Sequence, residues 1–175
     1  VLIVFGAVVR VLPHAPNFAP VGAIALFGGA LLSRRLALTV PVAAMLASDL
    51  IIGFYEPVVM ASVYASFLLT VLLGRWVGRH VNPGRVLAGS LAGSGLFFVV
   101  TNAAVWAFGH GYARNAAGLM QSYINALPFF RNTLLSDFLY SGAFFGLTAA
   151  VTAIVRRRTA NPTPHSLFST PPNNG

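Results

Sequence analysis

Cysteine is absent from the 175 residues, which removes thiol catalysis, thiolate metal ligation and any redox role for thiols. Lysine is absent too, so all 11 basic residues are arginines. Acids are nearly missing: only Asp49, Glu56 and Asp137 stand against those arginines, leaving a formal charge of +8. Charged residues make up 8% of the chain, where a soluble domain carries about a quarter. What fills the chain is apolar, at 57% hydrophobic residues and a mean hydropathy of +0.77, which reads as an integral membrane protein. The arginines close apolar runs and are not interleaved with exposed aromatics along one face. They therefore mark a bilayer rim, with the lipid bilayer as partner and no nucleic acid. No P-loop, nucleophile elbow or H-E-x-x-H occurs, so neither enzyme chemistry, nor a cofactor, nor a metal is expected.

The apolar runs predict an all-α bundle of about six transmembrane helices, forming one domain over residues 1–158, followed by a Pro- and Asn-rich tail over 159–175. Helix 1 covers Val1–Leu12 and has neither the basic flank nor the small-residue cleavage site of a removable signal peptide. Between Arg10 and Gly29 the run is broken by Pro13, Pro16 and Pro20 together with His14 and Asn17, and Pro20 suits the first turn of helix 2. Short segments interrupted by Gly and Pro point to a binding site in a membrane protein. Helix 3 is expected over Leu36–Phe54 with a kink at Pro41, helix 4 over Val58–Val77 and helix 5 over Arg85–Phe108. An amphipathic segment is expected between His110 and Pro128, and helix 6 over Phe129–Val155. Small-residue pairs four apart, Ala43/Ala47, Gly74/Gly78, Gly89/Gly93 and Gly142/Gly146, permit close helix packing.

Arg34, Arg35, Arg75, Arg79, Arg85 and Arg156–Arg158 fall at one side of these runs, and Arg10, Arg114 and Arg131 at the other. The positive-inside rule makes the first side cytoplasmic, with both termini there. On that topology Asp49, Asp137 and Asn102 share a layer in the outer half of the membrane with Arg10, below His14 and Asn17 in the loop. An ionisable group at such depth costs about 2.5 kcal/mol or more and seldom faces lipid. Arg10 pairs with Asp49 or with Asp137; one arginine neutralises one acid, and the other needs a proton, a cation or another donor.

Four stretches in this order, R-V-L-P-H-A-P-N-F-A-P-V-G-A-I-A-L-F-G-G, S-D-L-I-I-G-F, F-F-V-V-T-N-A-A-V-W and L-P-F-F-R-N-T-L-L-S-D, resemble a family of small bacterial inner-membrane proteins of unknown function labelled as putative transport proteins. The layout of six helices with an outer-half site is also similar to the substrate-binding S components of energy-coupling-factor transporters. Helix 1 lacks the A-x-x-x-A face such components use to dock; Ala19/Ala23 and Ala43/Ala47 lie on helices 2 and 3 instead. The first resemblance implies Asn17, Asp49, Asn102, Trp106, Asn132 and Asp137 as motif residues. The expected function is a membrane-embedded subunit that binds or transports a small polar or cationic solute alongside a membrane-protein partner, with Arg10 and His14 joining those six at the site. The alternative is a structural subunit of a larger respiratory, photosynthetic or cell-envelope complex contacting lipid or pigment.

Overall fold

A computed structural model describes residues 1–160; the tail predicted from residue 159 lies, from 161 on, outside the described residues. Six helices follow in order: α1 Leu2–Val11, α2 Val21–Leu31, α3 Arg34–Ile52, α4 Pro57–Gly78, α5 Pro83–Phe108 and α6 Ala116–Ala160. Four of them, α3 to α6, are long and apolar enough to cross a membrane. At 10 and 11 residues, α1 and α2 reach only about 15 and 17 Å, half a hydrocarbon core.

The short helix α2 is the hub. Its sequence VGAIALFGGAL carries no polar side chain, and an all-round apolar helix belongs inside. Val21, Ala23, Ile24, Ala25, Leu26, Gly28 and Gly29 are all buried, with α3, α4, α5 and α6 packed around them. Glycine makes the approach to α4 possible. A Cβ on Gly29 would collide with the Val71 carbonyl and lie 2.9 Å from the Gly74 Cα, and one on Gly78 would meet Ala30.

Helix α1 runs alongside α3, with Gly6 against Ala44 and Arg10 beside Ser48. Phe5 and Phe18 pack on Tyr140, and Phe27 on Phe144 and Phe145, so α6 holds α1, the break and α2 on one aromatic face.

Helix starts follow local chemistry. Glu56 accepts from the Val59 N–H at 2.7 Å with Pro57 at the first helical position, and Asn82 accepts from the Arg85 N–H at 2.9 Å with Pro83 in the same role. The segment expected to be a separate amphipathic helix before Pro128 departs from the sequence reading. Residues 116–128 are the first turns of α6, which runs 45 residues with Pro128 inside. Packing on α5 overrides the proline: Tyr123 donates to the Val99 carbonyl at 2.9 Å, and Phe98 lies 4.5 Å from Phe130 between ring centroids.

Candidate functional site

The loop between α1 and α2 leaves the helix with its residues 12–17 exposed, and part of its backbone is held by protein partners. α6 supplies them from successive turns. Asn132 donates to the Pro16 carbonyl at 2.9 Å, and Ser136 to the Ala19 carbonyl at 3.2 Å. Asn17 takes a left-handed φ of 61°, a conformation asparagine tolerates better than most residues. His14 points its Nδ1 at the Leu12 carbonyl, 2.6 Å away.

The two intramembrane acids are solved separately. Asp49 is 1% exposed; its Oδ1 lies 2.9 Å from Arg10 Nη1, and its Oδ2 accepts from the Tyr64 hydroxyl at 2.7 Å. The Oδ1 contact is an ion pair without hydrogen-bond alignment, because the same Nη1 also reaches the Ser48 hydroxyl and the Met45 carbonyl. Asp137, on α6, accepts from Ser94 Oγ at 2.6 Å and from the backbone N–H of Ala23. Ala23 lies in the first turn of α2, whose own N-terminal side chains supply no cap. The carboxylate thus caps a half-helix from outside, where free N–H groups and the helix dipole favour negative charge. Glycine at position 22 lets the carboxylate lie against α2, since a Cβ there would fall on the Asp137 oxygens and push them away.

The acids were expected in one layer, and the structure separates them in depth. Asp49 lies in the last turn of α3, whereas Asp137 faces Ser94, near the middle of α5. The reason is the length of α6: with its first turns starting at Ala116, Asp137 is about 32 Å along the helix.

A cavity of about 350 Å³ connects the two levels. Its rim holds Arg10, His14, Asn17 and Tyr55; its floor is Gly22, Thr70, Gly93 and Asp137; Phe67 and Phe97 form a wall, stacked 5.3 Å apart. His14, Asn17 and Tyr55 are exposed, while Thr70, Gly93 and Asp137 are buried, so the cavity runs from the loop end to mid-bundle. Partial burial pushes the Tyr55 hydroxyl above its ordinary pKa; the Asp49 charge adds to this and Arg10 opposes it. Tyr55 is therefore a neutral donor and acceptor at the rim.

Of the residues expected at a site, Arg10, His14, Asn17 and Asp137 line this cavity. Asn102 lines a smaller neighbouring one of about 190 Å³ that shares Asn17, Val63, Phe97 and Thr133. Asp49 sits behind Arg10. Asn132 tethers the loop, and Trp106 donates to the Ala113 carbonyl at 2.9 Å in the α5–α6 connection. Tyr55, Thr70, Phe97 and Thr133 were not singled out from sequence. The signal for Thr70 was there: Ser62, Ser66, Thr70, Gly74 and Gly78 recur every four residues down one stripe of α4.

No curated protein and no solved structure matches the chain. A family model does match, over residues 1–161, and the chain belongs to that family of unknown function, DUF6580.

Proposed function

We propose that the chain is a solute-binding subunit of a bacterial inner-membrane transport system, taking a small solute with a cationic or donor-rich head from the outer side. The observation that carries this reading is the 350 Å³ cavity reaching from exposed rim to buried floor, with Asp137 and the N-terminus of α2 at its bottom. That volume lies at the lower end of the range for small-molecule sites, about 300–1,000 Å³, and the wall is apolar with few convergent polar groups. A half-helix terminus at mid-depth beside a cavity is a recurring transporter device.

The charges narrow the solute class. Arg10 and Asp49 pair with each other, so the acidic group that the lining offers a solute is Asp137. A carboxylate has about four lone-pair sites; Ser94 and Ala23 use two, which leaves acceptor capacity toward the cavity. A cationic or N–H-bearing head fits there, with a flat apolar body along Phe67 and Phe97. Asp49 then serves to hold Arg10.

Thermal unfolding of the purified protein against a panel of small organic cations and neutral amides tests this. A binder at about 100 times its Kd adds about 2.7 kcal/mol of apparent stability. The expected result is stabilisation by at least one such compound, lost in Asp137→Asn and in Thr70→Val. A stabilisation equal in wild type and both variants removes this cavity as the site.

A further inference from the structure

Below the floor of the cavity, on the arginine-rich side, α5 and α6 part to leave a second groove of about 380 Å³. Ser94 bonds Asp137 across the two helices. One turn lower on each lie Ser90 and Ser141, which therefore face the same gap. Both line the groove, are 3% and 1% exposed, and have no hydrogen-bond partner among the described residues. They stand apart from the other buried hydroxyls: Ser48, Ser66, Thr70, Thr101, Ser122 and Ser136 each bond a carbonyl of their own helix. A buried hydroxyl without an acceptor is costly, and an acyl chain brings no acceptor.

Gly142 and Gly146 border the same groove, and a Cβ added at either would meet nothing within 4 Å. The two other glycine pairs at this spacing, on α4 and α5, are packed against neighbours. Further down, every residue from Ala149 to Thr159 is exposed, ending in Arg156–Arg158.

We propose that this face of α6 docks a transmembrane helix of a different membrane protein, which offers acceptors to Ser90 and Ser141 and carboxylates to Arg156–Arg158 at its cytoplasmic end. Small residues let the two backbones approach, and interhelical hydrogen bonds hold them. Charge excludes a second copy. The three acids of this chain are Asp49, Glu56 and Asp137, none near Arg156, so a parallel copy would set arginine triad against arginine triad. This inference rests on the α5–α6 groove and the arginines beyond it, and stands whether or not the upper cavity binds a solute.

A photo-crosslinking residue at Ala149 of the full chain, in native membranes, tests it, with a control probe at the exposed Leu72 of α4. The expected adduct at Ala149 is a transmembrane segment of another protein with Asp or Glu in its cytoplasmic flank, absent from Leu72. Gly142→Leu and the double variant Ser90→Ala/Ser141→Ala are expected to cut its yield about tenfold, as the loss of close packing or of two interhelical bonds implies. The melting temperature of Gly142→Leu stays at or slightly above the wild-type value and its solute response is unchanged, since its Cβ enters open space. A self-adduct, a lipid adduct only, no adduct, a partner without acidic flank, or a yield indifferent to these variants overturns the proposal.

Discussion

Each of the three acidic residues holds a specific piece of structure, and each can be tested singly. Glu56 starts α4, Asp49 anchors Arg10, and Asp137 caps α2 from α6. Asp49→Asn strands the Arg10 guanidinium at the foot of the rim, and breaking such a buried pair costs about 3–5 kcal/mol. Because Arg10 keeps 17% exposure, the expected loss is about 3 kcal/mol, read by equilibrium unfolding in bicelles. The pair Arg10→Met with Asp49→Leu restores most of it, since no lone charge remains. Tyr64→Phe removes one donor from Asp49 and costs about 1–3 kcal/mol in the same assay. The Arg10 partnership was half legible in the sequence: one arginine, two candidate acids. The partner of Asp137 was not, because it is a backbone N–H, and no side-chain pattern announces which helix terminus a carboxylate will reach.

At the scale of elements, α2 owes its central place to what it lacks. With no side chain larger than phenylalanine and glycines at 22, 28 and 29, it lets α4 come within backbone contact. Gly29→Ala and Gly74→Ala each force α2 and α4 apart, at an expected cost of about 1–3 kcal/mol typical of overpacking. Gly142→Ala, in open space on α6, is expected to be neutral or to gain up to about 1 kcal/mol from helix propensity. Equal destabilisation at all three sites would contradict the packing described. In the sequence the glycine pairs look alike, since spacing gives a face but not its partner. Helix number and most boundaries were legible from the apolar runs and the residues that break them, Pro20 ahead of α2 among them. The continuity of α6 through Pro128 was not, because a proline reads as a boundary until a neighbouring helix holds the segment on both sides of it.

For the whole molecule, charge and cavity point along one axis. Eight arginines gather at one end, while the cavity opens at the other, beside the loop between α1 and α2. The sequence shows this polarity through the arginines alone, but the cavity needs all six helices to converge and no local pattern encodes that. The absence of cysteine makes the axis measurable, since single reporters need no background removed. An impermeant thiol reagent added to intact cells is expected to label Ala15→Cys in the loop, and to reach Val81→Cys between α4 and α5 only after permeabilisation. The reverse pattern would place the cavity on the cytoplasmic face and end the reading of capture from outside. The cavity adds a sharper contrast. Thr70 lines its floor, whereas Ser66 lies one turn nearer the end of α4 at which the cavity opens, fully buried and off the lining. A small methanethiosulfonate reagent is therefore expected to modify Thr70→Cys from outside and to spare Ser66→Cys, and a bound solute is expected to slow the first reaction. Depth alone would give the opposite order, so the comparison separates a water-filled path to mid-membrane from simple burial.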